Sequence, residues 1–372
     1  MARYYTNVYN RYDKMYVRGY EDNKPFTDIV HYKPYVFLAK ANGMYRTIDG
    51  KPVDKMMFDS IGDARDFLKR YEDVSGMEIY GLTSFPYLFL YDNFHGEQKY
   101  DPSTISVVSI DIECAADDGF PDIKLANKEI TAISLRKKGN TIVFGCGDYK
   151  PTEDSITYVK CKSEIELLEK FLNVWNHNSV KPDIITGWNI EFFDVPYLVN
   201  RIRNLLGEKS VQRLSPWGFV EERMIEFKGK SNQSYNIAGI STLDYYQLYR
   251  KFTFGNQESY KLDYIAQIEL GEKKLDYSEY GSLLELYKNN FQKFIEYNIL
   301  DTVLVDKLDE KLKFIEQVMA FAYDAKVNYS DTMTTVRPWD IIIHNYLLDS
   351  RIAIPQMSKN EMSSSLVGGY VK

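Results

Sequence analysis

Two carboxylates stand at the end of an otherwise apolar run, Val107-Val-Ser-Ile-Asp-Ile-Glu113. In a strand alternate residues share a face, so Ser109, Asp111 and Glu113 project together while Val108, Ile110 and Ile112 face the other way. Two acids on one strand face repel each other unless something positive sits between them, and a Lys, an Arg or a metal ion could serve. A third acid, Asp194, lies in Asn189-Ile-Glu-Phe-Phe193-Asp194, just ahead of Val195-Pro196. Alone it reads equally as the N-cap of a helix. A fourth, Asp301, takes an apolar place in the helical stripe Phe294, Tyr297, Asp301, Leu304 and Leu308. Tyr297 lies four residues before it on the same face, so a Tyr–Asp hydrogen bond would account for that pair. Each signal is weak alone. Together, a strand Asp-x-Glu, a loop Asp and a helical Tyr-x-x-x-Asp suit hydrolytic chemistry on a phosphate.

The elements that must carry these residues are legible in outline. At 372 residues with 44% hydrophobic content, the chain is long enough for two or three domains with a substantial core. Residues 1–103 read as a small α+β module. YYTNVYN, KMYVRGY, IVHYKPYVFLA and PYLFLYD suggest strands, and Ser60 is placed to cap a helix with the stripe Ala64, Phe67, Leu68, Tyr71. Over residues 104–338 strands and helices alternate. VVSIDIE, EITAISLR, TIVFGC, ITYVKC and DIITGWN are strand candidates, and Ser163 with Glu166 forms a capping box. VPYLVNRIRNLL reads as a helix, the stretch up to Ala238 as a loop with a hairpin turning near Gly229-Lys230-Ser231-Asn232, and residues 290–319 as one long helix. Residues 339–372 hold a helix and a Ser/Gly-rich connector.

Composition narrows the setting. The N-terminus lacks a signal-peptide apolar region and no apolar run approaches the length of a membrane helix, so an intracellular, soluble protein without a membrane partner is expected. Cys114, Cys146 and Cys161 show neither a disulfide framework nor zinc spacing. A net charge of −7 argues against wrapping duplex DNA by bulk electrostatics, whereas 31 tyrosines could stack on single-stranded bases. Asp244, in STLDYYQLY, is assigned a structural role.

The ordered set Asp111-Ile-Glu113, Asn189-x-x-x-Phe193-Asp194 and Tyr297-x-x-x-Asp301 resembles the three motifs of DEDDy 3′–5′ exonucleases as they occur in family B DNA polymerases. The longer stretches TGWNIEFFDVPYLVNRI, ISTLDYYQLYRKF and EYNILDT are similar to the T-even-type bacteriophage members of that family. Where the DEDDh group would carry a His, this chain has Glu296, and Tyr297 keeps the tyrosine form.

The resemblance implies an α/β fold with a ribonuclease H-like exonuclease domain, a mixed central sheet flanked by helices. It implies two Mg²⁺ or Mn²⁺ ions: Asp111 bridging both, Glu113 and Asp301 completing the nucleophile's ion, Asp194 holding the second, and Tyr297 orienting water. Phe120, in the Gly119-Phe120-Pro121 loop, together with Asn189 and Phe193, are the candidate DNA contacts, and the hairpin near Lys228 corresponds to one that parts primer from template. Implied partners are single-stranded or primer–template DNA, the remaining polymerase domains, a sliding clamp bound through other parts, and RNA at the N-terminal module. Two alternatives remain open, a non-catalytic RNA-binding module and a stand-alone DEDDy nuclease. The family's palm segments, Asp-x-x-Ser-Leu-Tyr-Pro and Asp-Thr-Asp, do not occur in these 372 residues, so no primer extension by them is expected.

Overall fold

The computed structural model describes residues 3–356 apart from 73, 116–118, 120 and 228. The N-terminal module opens with β1 (Arg3–Arg11), β2 (Lys14–Glu21) and β3 (Lys24–His31), an antiparallel three-stranded sheet. The β2–β3 turn is Asp22-Asn23, both with positive φ, as a tight two-residue hairpin requires. β4 (Tyr35–Ala39), β5 (Tyr45–Thr47), β6 (Pro52–Met57), α1 (Ile61–Tyr71), β7 (Ile79–Tyr80) and α2 (Phe85–Asn93) follow.

The second region contains β8 (Val107–Cys114), β9 (Ile130–Lys137), β10 (Asn140–Gly145), β11 (Ile156–Lys160), α3 (Glu164–Trp175), β12 (Ile184–Gly187), α4 (Asp194–Leu206) and α5 (Glu208–Gln212). It continues through the hairpin β13 (Val220–Phe227) and β14 (Lys230–Ile237), then β15 (Ser241–Asp244), α6 (Tyr245–Phe252), α7 (Leu262–Leu270), α8 (Leu283–Asn289), α9 (Phe291–Leu312) and α10 (Phe314–Ala325). α11 (Arg337–Asp349) and β16 (Ile352–Ala353) come last.

The larger sheet has the order β11-β10-β9-β8-β12-β15 and is mixed: β8, β12 and β15 run parallel, while β9 is antiparallel to both β8 and β10. On its apolar face Val108, Ile110 and Ile112 pack with Leu167 and Phe171 of α3 and with Tyr197 and Val199 of α4. α9 covers the opposite face, where the Asp306 carboxylate accepts from Ser109 Oγ at 2.6 Å and from Arg136 Nε at 2.8 Å. Burial of each aliphatic side chain is worth about 1.5–3 kcal/mol, and a one-residue slip of β8 would exchange those three for Ser109, Asp111 and Glu113. The register that presents Asp111 and Glu113 to α9 is therefore fixed by the residues facing away from them.

The two regions meet at Asp183, which is 2% exposed and immediately precedes β12. It accepts from Arg18 Nη2 at 3.0 Å, Thr6 Oγ1 at 3.1 Å, Tyr20 Oη at 2.7 Å and the Ser106 N–H at 2.9 Å. The N-terminal sheet is thus bonded to the base of the strand that leads into the second motif.

Several expectations are corrected. PYLFLYD is the helix α2, with Pro86 in its first turn; Phe85, Tyr87, Leu88, Phe89 and Leu90 are all buried, so no polar face betrays its period. IVHYKPYVFLA is not one strand, because it breaks at Tyr32-Lys33-Pro34 and its halves join different sheets. The long helix is two: Lys313 adopts a left-handed conformation, and Asp309 Oδ1 accepts the Ile315 N–H to start α10 afresh. The hairpin ladder runs to Phe227↔Lys230, which places Lys230, Ser231 and Asn232 in the strand rather than the turn. Beyond α11, β16 pairs with β5 of the N-terminal module, a strand not foreseen in the sequence, while the expected Ser/Gly-rich connector lies outside the described residues.

Candidate active site

The acids converge as their sequence faces require. Asp111, Glu113 and Asp301 each offer an oxygen such that all three lie within 4.8 Å of one another. β8 supplies two and α9, crossing above it, supplies the third. Asn298, fully buried on α9, donates through Nδ2 to Asp111 Oδ2 at 2.6 Å and fixes that carboxylate. Asp194 stands beside this trio. Its expected capping role goes to Phe193, and its Oδ1 accepts the Ile112 N–H at 3.0 Å, on β8 past the point where β12's pairing ends at Ser109. A Cβ on Gly187, the last residue of β12, would lie 2.4 Å from the Ile110 carbonyl oxygen, so only glycine lets the chain turn so close to β8.

The electrostatics are unbalanced. Burial first, then the charges of Asp301, Glu113 and Asp194, push the Asp111 carboxyl well above its ordinary range. Burial and the Asp301 charge push Glu113 up to about 8. Burial raises Asp194 to about 7 against the opposing Ile112 N–H, and raises Asp301 against the opposing Lys274. Asp111 and Glu113 keep some surface open, but their carboxylates are crowded by protein on most sides, and this crowding is what dominates.

Lys274 brings a positive charge to the site, paired with Asp301 of α9 rather than with the strand acids, and nothing in its own neighbourhood of the sequence marks it. Its ammonium contacts Asp301 Oδ2 closely, donates to Tyr297 Oη at 3.3 Å and lies 5.0 Å from the Tyr297 ring centroid. Tyr297 and Asp301 therefore share Lys274 as a polar partner. Burial opposes the ammonium's charge, yet the Asp301 carboxylate outweighs it and holds Lys274 above its usual range. One cation against four acids leaves most of the charge uncompensated, and Asp301 Oδ1 is buried with no hydrogen-bond partner among the described residues. An all-oxygen set with an unused buried carboxylate oxygen fits a hard divalent cation.

Asp111 and Asp301, with Lys274 and Tyr297, line a cleft of about 650 Å³ whose wall includes Trp188, Asn189, Tyr246, Tyr260 and Lys261. Asn189 takes a left-handed conformation, and its N–H, with those of Glu191 and Tyr246, is accepted by Asp244 at 2.9–3.0 Å. Asp244 thus pins the β12–α4 loop, the structural role expected of it. Phe193 packs against Tyr197 with the rings tilted by 31° and their centroids 5.6 Å apart, and Phe120 lies outside the described residues. Sequence reasoning passed over Lys274, Asn298 and the aromatics Trp188, Tyr246 and Tyr260. Only Trp188 and Asn298 carried a signal, as direct neighbours of motif residues.

Fold and site together define a ribonuclease H-like exonuclease domain behind an N-terminal module. Residues 86–265 match the family model for the exonuclease domain of DNA polymerase family B, a span that includes Asp111, Glu113 and Asp194 and stops short of Tyr297 and Asp301. The DNA-directed DNA polymerase of Escherichia phage RB69 is 35% identical over 403 residues, covering 100% of this chain and 44% of the relative. That of Enterobacteria phage T4 is 35% identical over 379 residues, 94% of this chain and 41% of the relative. The DNA polymerase catalytic subunit of Alcelaphine herpesvirus 1 is 30% identical over 238 residues, 60% of this chain and 22% of the relative. The chain belongs to the T4-type family B DNA polymerases and corresponds to their N-terminal and exonuclease region. It spans less than half the length of the two phage relatives. The exonuclease domain of this family is a 3′–5′ exonuclease and uses divalent metal. No helix among the described residues is long and apolar enough to cross a membrane.

Proposed function

We propose that this chain hydrolyses 3′-terminal nucleotides from single-stranded or frayed DNA, as the proofreading portion of a phage-type replicative polymerase. The observation that supports this most is the convergence of Asp111, Glu113 and Asp301 on oxygens within 4.8 Å. These three and Asp194 would hold Mg²⁺ or Mn²⁺. When bound, the ions supply an activated water and neutralise charge on the phosphate and the leaving 3′ oxygen.

The chain's own residues do the rest. Burial raises the Tyr297 phenol, so it stays protonated near neutral pH and orients the attacking water rather than taking its proton. Lys274 holds Asp301 and Tyr297 in place and puts a positive charge at the cleft floor. Trp188, Tyr246 and Tyr260 offer ring faces to unpaired bases, and Lys261 offers a charge to the backbone phosphate. Phe120, Asn189 and Phe193 remain proposed DNA contacts.

We keep the proposed division into an N-terminal module, residues 1–103, and an exonuclease domain, 104–338, with β16 returning to the first. A clamp and the polymerase's other domains remain proposed partners, as does RNA. Four of the N-terminal cations, Arg3, Lys33, Lys40 and Lys51, are paired with Asp28, Asp59, Asp54 and Glu78.

Purified protein with Mn²⁺ should shorten a 5′-labelled single-stranded oligonucleotide one nucleotide at a time from its 3′ end. A strand left intact by the properly folded protein rejects the proposal. Lys274→Ala should slow the same reaction about 10–100-fold, or about 1.4–2.8 kcal/mol, because Asp301 and Tyr297 lose their common partner. Single-turnover cleavage measures this, and an unchanged rate removes Lys274 from the mechanism.

A further inference from the structure

We infer that Glu191, an acid the chemistry above does not use, is the positioning residue that sets where the β13–β14 hairpin stands beside the acid cleft. The inference rests on the proposed function, cleavage at single-stranded or frayed 3′ ends, and adds to it how a paired end would come to be frayed. Glu191 lies three residues before Asp194 and is 8% exposed. Its Oε1 accepts from Arg223 Nη2 at 2.5 Å and from Ser234 Oγ at 2.7 Å, and Gln247 Nε2 donates to Oε2 at 3.4 Å. Arg223 and Ser234 face each other across the hairpin ladder, so one carboxylate grips both strands at the same rung.

The position of that rung matters. Toward the body, Tyr235 and Ile237 are buried in the core, and Tyr235 Oη donates to Asn200 Oδ1 of α4 at 2.6 Å. Toward the tip, the next residue, Met224, is 53% exposed. Glu191 therefore holds the ribbon where it leaves the body. The root is braced from the other side as well, since Arg11 of β1 pairs with Glu221 at 2.7 Å and its guanidinium lies 4.3 Å from the Phe219 ring centroid.

The loop carrying Glu191 cannot yield freely. Asp244 accepts its N–H at 3.0 Å and that of Asn189 at 2.9 Å, and the loop's far end is tied to β8 through Asp194. A duplex end is too wide to enter a cleft that seats unpaired bases, so its strands must part at the mouth. A two-stranded ribbon anchored three residues from Asp194 is placed to keep them apart. A carboxyl group this deeply buried is costly unless its polar atoms find partners, and two of its three partners belong to the hairpin.

The test compares Arg223→Ala and Glu191→Gln with the unsubstituted protein in Mn²⁺, on a single strand and on the same strand annealed to its complement. Single-strand cleavage is expected to stay within about twofold, while cleavage of the paired end falls about tenfold or more. The double variant should be no worse than Arg223→Ala, as members of one contact are not additive. Backbone hydrogen exchange over residues 221–227 and 231–236, measured without DNA or metal, should quicken in both variants. Equal loss on both substrates would place Glu191 in the service of the acid site and overturn the inference, as would undiminished cleavage of the paired end or unchanged exchange. If the unsubstituted protein cuts neither substrate, the exonuclease reading falls, and the exchange measurement still decides the anchor. Arg223 is a partly exposed hairpin residue, so its replacement keeps the test open should Glu191→Gln fail to fold.

Discussion

Asp111→Ala should lower single-strand cleavage by about a thousandfold or more while leaving the metal-free protein folded and of nearly unchanged stability. The loss in rate follows from position. Asp111 lies among Glu113, Asp194 and Asp301, and metal-derived charge stabilisation is worth several kcal/mol, each 1.36 kcal/mol being tenfold in rate. Two terms of opposite sign set the stability. Asn298 loses the acceptor it holds at 2.6 Å, which costs about 1 kcal/mol or somewhat more if its amide is left unsatisfied. Against this, the raised pKa of Asp111 shows that its charge is unwelcome among its neighbours, and removing it relieves Glu113 and Asp301 of a repulsive partner. The sum should lie within about 1 kcal/mol of zero, whereas most core acids that lose their partners cost several. Urea unfolding without metal measures the stability, and single-turnover cleavage measures the rate. A variant that keeps more than about a tenth of the activity would refute the placement of Asp111 at the centre of the site.

That pairing of lost activity with kept stability could be foreseen from the sequence, because a strand with a period of two shows which residues serve the core and which do not. Val108, Ile110 and Ile112 read as core and are core; Asp111 and Glu113 read as needing a positive partner, and Lys274 brings one charge to their site through Asp301. The identity of that partner was not legible. Lys274 contacts Asp301 across 27 residues of chain, and one lysine in a segment between two helices looks like any other. Asn298 was hidden for the opposite reason, lying inside a motif whose Tyr297 and Asp301 drew the attention.

The errors in the fold have equally local causes. α2 is buried on nearly every side, so its apolar run shows no helical period. The break between α9 and α10 occurs at a lysine, without the glycine or proline that usually marks one. Asp194 was foreseen as a member of the set, but the geometry that gives it a place, a hydrogen bond to the backbone of β8, depends on strand pairing that no local pattern contains.

Added Mn²⁺ should stabilise this protein, and by an amount that grows steeply between pH 6 and pH 8. In the metal-free protein burial and mutual repulsion hold Glu113 at about 8 and Asp194 at about 7, against roughly 4 for such groups in an unfolded chain. A carboxyl raised in this way binds its proton more tightly when folded, so its contribution to stability is complete below about pH 4 and is lost as the pH rises through 7 and 8. The metal-free protein should therefore lose stability across that interval. A bound divalent ion needs the same carboxylates ionised, so below these pKa values each proton it displaces weakens its apparent affinity about tenfold per pH unit. The two slopes oppose each other: as pH rises the empty site becomes more strained and the ion binds more tightly. Lys274 moderates the strain without removing it, as it neutralises one charge of the four. Calorimetric unfolding at pH 6, 7 and 8, with Mn²⁺ and with chelator, gives the difference in midpoint at each pH. That difference should widen with pH, and in Asp111→Ala most of it should vanish. A difference that is constant or that narrows as pH rises would mean that the acids do not compete with protons for the ion, and that the charge on β8 is balanced by the protein itself.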